Sequence, residues 1–411
     1  MRPVSDLFLV DEPIIALGET GEPQTIKTTP SIQRVDLEEL ELTYLHNPIV
    51  FNGVNKIVQS IMSAEHYIEA KSERVKAFFD RFTENLGSSG SDITWEEMLT
   101  TIFKHQCIYG RSWVENVFNK KHNRIVDWDL IDPKKMDYAK DSNQKIVLDN
   151  YGNPVGYFET IPFMDAELKA SEEQKQLPLR VARPSGLKTI FLAPEQIAQI
   201  KLYTVGDGFY PIGLIEPIYK LSLRKMNVEE ALANAIYIHG FPIIWAQLGD
   251  MNHEPTPQQI RDILGKLKET NYKRELATPY YYKLQMLEGK YPTKLIDPLS
   301  YFRDQEVSGI GIPQGIITGI GGATSIKNQA AVFYLTLRDI VNQTVGHIRR
   351  YMFARVCEYE GFKEVPTIKW DLIGSQELEQ KAKRLAAYVK AGILIPDQKI
   401  QDFIKKVEKI D

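Results

Sequence analysis

Cysteine is nearly absent from this chain, and so is any long apolar run. Cys107 and Cys357 are the only thiols among 411 residues. Two cysteines make neither a disulfide framework nor a four-ligand zinc site, which fits a reducing compartment. Cys107 falls on the apolar face of a helical stretch and is expected to be a buried thiol. No run reaches the roughly 18 apolar residues that a membrane span needs, and the first residues lack a basic-then-apolar leader pattern. Synthesis in the cytoplasm, with no membrane insertion, is therefore expected. An excess of one charge is missing too. Lys and Arg total 50 against 54 Asp and Glu, a net charge of −4. That balance gives no bulk reason to clamp nucleic acid, so any contact with DNA is expected to be local or transient.

Catalytic signatures are equally scarce. The seven histidines (His46, His66, His105, His122, His239, His253 and His347) show no pair at ligand spacing on one helix. His105 reads as a structural residue. No Gly-x-Ser-x-Gly elbow and no dinucleotide-binding glycine spacing occur. Asp127 and Asp129 would share a strand face with Asp132 nearby, but solvation at a strand end explains them better than a metal. No metal, cofactor or catalytic residue is expected.

What is present is the composition of a folded protein, 43% hydrophobic and 25% charged, in a chain long enough for two or more lobes. Residues 1–46 read as an extended acidic arm, with Asp6, Asp11, Glu12, Glu19, Glu22, Asp36, Glu38, Glu39 and Glu41 against Arg2, Lys27 and Arg34. Such a segment either stays mobile or orders by lying on a neighbour. A helix then starts at Asn47-Pro48, and another carries Val75, Phe78, Phe79, Phe82 and Leu86. A third follows the capping box Thr94–Glu97 and ends at Tyr109-Gly110. Strands are expected over 112–118 and 124–130 as one hairpin, over 145–148 and 155–161 as a second, and over 188–192 and 199–203.

The stretch 209–240 predicts a long helix that starts near Leu214 and stops at Gly240 before Pro242. Its later half is polar and small all round, with no wide apolar face, as suits packing edgewise against like neighbours. A βαβ-like insert follows: a strand at 241–248, a helix capped at Thr256 with Ile260, Ile263, Leu264 and Leu267 inside, and an aromatic strand at 279–287. The insert carries Arg261, Lys266, Lys268, Lys273 and Arg274 on a basic outer face. After a short helix at 298–307, residues 309–325 hold six glycines, and a permissive backbone is expected there. A helix over about 326–358 would span roughly 50 Å. A closing strand at 367–372 and a helical hairpin over 375–391 and 396–410 complete the chain.

The order of these elements resembles the portal proteins of tailed double-stranded DNA viruses. The resemblance spans almost the whole chain. It is carried by Asn47–Ala70, by Gln106–Phe118 passing through Tyr-Gly into a strand, and by Asp132-Pro133. Gly208–Leu214 before the helix that stops at Gly240 and Gly309–Gly322 before the long helix carry it further. It implies an α+β, portal-type fold with an α/β wing, a helical stem, a small αβ clip and a short helical crown, assembled as a ring. Mapped here, the N-terminal arm is 1–46, the wing 47–211, and the stem 212–240 with a second helix at 296–312. The clip is 241–295, the tunnel loop 313–328, the long helix and the rest of the wing 329–374, and the crown 375–411.

The resemblance implies a dodecamer at one capsid vertex, passing viral DNA during packaging and ejection. Its implied partners are terminase, head-completion or adaptor proteins and the major capsid protein; its implied location is the virion. Thr318, Thr324, Ser325, Lys327 and Asn328 would face passing DNA, and the basic residues of 241–295 would dock partners. A phosphate- or nucleotide-handling enzyme built on the Gly319–Lys327 loop stands as the alternative, although that loop lacks the P-loop spacing. A monomeric adaptor or another virion scaffold protein is a third reading.

Overall fold

Asp36 and Asn47 each open a helix in the computed structural model. The structure describes residues 35–87, 93–161, 189–206, 208–240, 243–249, 254–269, 282–287, 296–318, 323–371, 383–384 and 386–391. Asp36 Oδ1 accepts from Glu38 N (3.1 Å) and caps helix α1, Leu37–His46. Acidic residues in its first turn complement the helix dipole. The arm expected over 1–46 therefore ends in a helix: Leu37, Leu40 and Thr43 are buried, and residues 1–34 lie outside the described ones. Asn47 Oδ1 then accepts from Ile49 N and Val50 N, with Pro48 at the first position of α2, Pro48–Met62.

The chain continues through β1 (His66–Glu69), α3 (Glu73–Glu84) and α4 (Trp95–Tyr109). The expected capping box opens α4: Thr94 Oγ1 accepts from Glu97 N, and the Glu97 carboxylate accepts from Thr94 N. Gly110 closes it at φ 77°. A β carbon there would meet the backbone of Pro211 and Ile212 at 2.6 Å, so only glycine fits both the dihedral and the space.

Strands β2 (Arg111–Phe118) and β3 (Ile125–Ile131) form the expected hairpin, and β7 (Ile197–Lys201) pairs on the other side of β2. Between them come β4 (Met136–Tyr138), β5 (Tyr157–Thr160) and β6 (Thr189–Leu192), a second antiparallel sheet. The hairpin expected over 145–161 takes a different form. Its turn exists, with Asp149 Oδ1 accepting from Tyr151 N and Asn153 N. Its first arm makes only isolated bridges, while β5 pairs with β4 and β6.

Side-chain alternation makes the β3-β2-β7 sheet a partition. Trp113 joins Tyr138, Tyr157 and Phe209 on one face. Val114, Trp128, Ala198 and Ile200 face Phe79, Ile102 and Phe353 on the other. A further core gathers Val54 and Ile57 of α2, Phe103 of α4, Leu214, Ile215 and Ile218.

The expected long helix from Leu214 begins later. Pro211, Gly213 and Pro217 keep 209–215 irregular; a 3-10 turn at Glu216–Ile218 precedes α5, Tyr219–Gly240. Next come β8 (Ile243–Leu248), α6 (Pro257–Glu269), β9 (Tyr282–Leu287), α7 (Ile296–Ile310), α8 (Gln314–Thr318) and α9 (Ala323–Ile348). A π-helical turn at Arg349–Phe353 leads into α10 (Ala354–Glu360), and β10 (Thr367–Trp370) pairs with β1. The helical hairpin expected in the tail lies almost wholly outside the described residues.

The chain divides into two compact units, Met1–Tyr219 with Glu306–Asp411, and Lys220–Gln305. In the smaller unit β8 and β9 pair antiparallel, Ile243 opposite Leu287. A βαβ crossover would make them parallel; here the chain returns to the end at which β8 stops. The expected apolar face of α6 is only partly covered. Ile263 is buried, but Ile260 is 37% and Leu264 53% exposed.

Candidate functional site

Two anchored helix ends frame the glycine-rich segment. On the entering side, Glu306, Val307 and Ile310 at the end of α7 are buried. Asn47 Nδ2 donates to Glu306 Oε1 at 2.7 Å, so the residue that caps α2 also ties down α7. Gly309 lies where a β carbon would come within 2.2 Å of Ile218 Cγ2. Gly311 takes φ 81°, and Ile312 returns to the core at 2% exposure. On the leaving side, α9 is held by buried Phe333, Leu337, Ile340 and Val341. Thr344 Oγ1 donates to Gln106 Oε1 (2.7 Å), and Gln106 Nε2 donates to the Lys201 carbonyl (3.1 Å). The segment thus leaves and re-enters the fold through fixed roots.

Between those roots the structure is more helical than expected. Gln314–Thr318 is the short helix α8, and α9 begins at Ala323 rather than near Ile326. Thr318 is the last residue of α8. Thr324, Ser325, Lys327 and Asn328 have their backbones in the opening turns of α9, not in a loop. The opening turn of a helix presents backbone N–H groups without intrahelical partners. Gly319, Gly321 and Gly322 lie outside the described residues.

Of the basic set expected to dock partners, Arg261 is exposed on α6. Lys266 and Lys268 have their backbones in the same helix. Lys273 and Arg274 lie outside the described residues.

The residues weighed for chemistry have structural partners. Asp127 Oδ1 accepts from Gly87 N and Trp128 N, Asp129 Oδ1 from Leu130 N, and Asp132 Oδ1 from Lys134 N. Among the described residues, no group of three or more His, Cys, Asp or Glu gathers as metal ligands would. His105 lies against Ser112 Oγ and the edge of Tyr109, and burial pushes its pKa down to about 4. Burial pushes the Cys107 thiol up to about 12 and the Cys357 thiol to about 11, leaving both protonated and unreactive. A cavity of about 630 Å³ beside Arg111 holds several lysines. Lys134 there is engaged by Glu41 and Asp132, and Lys140 by Asp137.

The tie between Asn47 and Glu306, 259 residues apart, and that between Gln106 and Thr344, 238 apart, escaped sequence reasoning. No spacing rule links positions so distant. A polar residue at an otherwise apolar helix position, as at Gln106 and Thr344, was the one available signal.

Comparison with known proteins gives a consistent answer. The family described as "Portal protein of Mu bacteriophage" matches residues 43–405. Curated proteins yield no match. Among solved structures, the fold is similar to a chain in the neck of the empty gene transfer agent particle, with TM-score 0.64 and 13% identity over 93% of this chain and 95% of that one. A chain in the neck of the native particle, computed with C12 symmetry, gives TM-score 0.61 and 14% identity over 93% and 94%. No helix among the described residues is long and apolar enough to cross a membrane. The family match over residues 43–405, most of the chain, shows that it belongs to the portal protein family of Mu bacteriophage.

Proposed function

We propose that twelve copies of this chain stand side by side as a ring at one capsid vertex, and that double-stranded DNA enters and leaves through the central channel. The family match over 43–405 carries this reading. The family is a structural one, not an enzymatic one. The fold likeness to a neck subunit of a particle computed with C12 symmetry supports the ring number. A single copy also leaves large apolar side chains in water. Leu42, Leu45 and Phe51 are 47%, 56% and 43% exposed, and Val332 and Leu335 on α9 are 63% and 58% exposed. Exposed apolar side chains of this kind suit burial against a neighbour, and a head-to-tail contact that closes generates a ring.

In this assembly the segment 313–328, with the end of α8 and the opening turns of α9, lines the channel. Thr318, Thr324, Ser325, Lys327 and Asn328 make weak, replaceable contacts with the moving duplex. Each phosphate firmly neutralised would deepen a trap along the path, so a chain of net charge −4 suits passage better than capture. Residues 241–295 form the clip, where terminase docks during packaging and head-completion or adaptor proteins dock later. Exposed Ile260 and Leu264 beside Arg261 suit such a docking face. The wing meets the major capsid protein.

The experiment is the mass of the purified protein in solution. A ring near twelve times 47.1 kDa is expected. A lone 47.1 kDa chain at every concentration, and in the intact particle, would overturn the reading. ATP hydrolysis by the purified chain, abolished by Lys327→Ala, would favour the enzyme instead.

A further inference from the structure

A cleft of about 410 Å³ in the larger unit combines two chemistries that seldom share a free surface. Its floor is aromatic. Phe78 meets Phe362 edge-on at 5.2 Å and Phe82 at 6.0 Å, and all three rings are only half-buried. Its rim is cationic, formed by Arg74, Arg81 and Arg124. Arg124 is engaged by Glu360. The Arg74 guanidinium lies 5.7 Å over the Phe362 ring rather than against a carboxylate. Arg81 is exposed at the lip with no carboxylate at ion-pair distance among the described residues. Aromatic floor and guanidinium rim together select a ligand with apolar side chains flanked by carboxylates.

The chain itself carries such a segment, outside the described residues. Positions 6–15 read Asp-Leu-Phe-Leu-Val-Asp-Glu-Pro-Ile-Ile. Three carboxylates bracket an aromatic and three aliphatic residues, without one cation. A segment this apolar is unlike the polar, low-hydrophobicity composition that stays in water. We propose that the Arg74–Arg81–Arg124 cleft is the seat of Asp6–Ile15 of the chain's own N-terminal arm, with Phe8 against the phenylalanine floor and Asp11 and Glu12 at the arginine rim. The tether is long enough. From Ile15 to Val35 an extended chain reaches roughly 65 Å, against a radius of gyration of about 20 Å for a compact lobe of some 300 residues. The seat is therefore accessible from the same copy or from an adjacent one. The inference stands on this cleft and this sequence and does not need the ring.

The test is limited chymotrypsin digestion of the full-length protein, following cleavage at Leu7, Phe8 and Leu9. Tyr151, 90% exposed, serves as the open reference site. The wild-type segment is expected to be cut much more slowly than Tyr151. Arg74→Glu with Arg81→Glu is expected to speed its cleavage about tenfold, the equivalent of 1.4 kcal/mol, while cleavage at Tyr151 is unchanged. Both arginines are exposed, so the fold is not at stake. Adding Asp11→Arg and Glu12→Arg to that variant exchanges the charges and is expected to restore protection. Wild-type cleavage as fast as at Tyr151 would overturn the proposal. So would protection that ignores the arginine reversal, or that fails to return in the exchanged variant. Single rings with an unprotected arm would sink this inference alone; protected arms on a lone chain would sink only the ring.

Discussion

Asn47 is asked to do two jobs, and replacing it separates them. Its Oδ1 caps α2 while its Nδ2 donates to buried Glu306 of α7. Asn47→Ala removes both. Loss of an N-cap costs about 1 kcal/mol. Loss of a buried hydrogen bond to a charged group costs about 1.5–3 kcal/mol. The sum is about 2.5–4 kcal/mol, large for one side chain. Asn47→Ser keeps a capping oxygen and should recover about 1 kcal/mol of that loss. Asn47→Asp also keeps the cap but sets a second carboxylate against Glu306, and should be at least as damaging as alanine at neutral pH. Urea unfolding followed by tryptophan fluorescence, at one chain concentration, reads the differences, since Trp95, Trp113, Trp128 and Trp370 all lie in the larger unit. An alanine variant within about 0.5 kcal/mol of wild type, or an aspartate variant as stable as wild type, would refute the double role.

Three further outcomes are expected. Gly213→Ala should cost about 3 kcal/mol or more, because its β carbon would lie 2.7 Å from Gly110 N and 2.8 Å from the Ile108 carbonyl; an unchanged melting temperature would contradict this. His105 takes a proton below pH 6.5 when unfolded, but burial holds off protonation until about pH 4 in the fold. Stability is thus intact above pH 6.5 and drains as pH falls towards 4, by roughly 3 kcal/mol at most, so His105→Gln should flatten that limb of a stability–pH curve; an unaltered slope would count against it. Deleting 319–324 should leave rings intact and block packaging, since the roots at Glu306 and Phe333 are untouched; rings lost on that deletion would show that the segment holds the assembly.

Where one short phrase decides the local structure, the chain was easy to read. Asn47-Pro48, Thr94–Glu97 and Thr256–Gln259 all cap helices as their residue types dictate. The helix at Leu37–His46 is hard to read because Glu38, Glu39 and Glu41 crowd its surface and hide the Leu37–Leu40–Thr43 spacing. Its cap, Asp36, looks in sequence like one more charge of an acidic run. The start of α9 at Ala323 is hidden because the glycines before it and the hydroxyl residues after it look alike as loop formers in sequence. The antiparallel pairing of β8 and β9 was beyond local reading, since strand direction depends on where the returning chain lands. Asn47–Glu306 and Gln106–Thr344 were beyond it for the same reason.

Rotational symmetry at the vertex of the intact particle tests the central claim most directly. Imaging that vertex, together with the purified protein, should show a closed ring of twelve copies with a hole wide enough for duplex DNA, lined by residues 313–328. A protein that occupies the particle as scattered single copies, or as a ring whose centre is closed by its own cores, would contradict it.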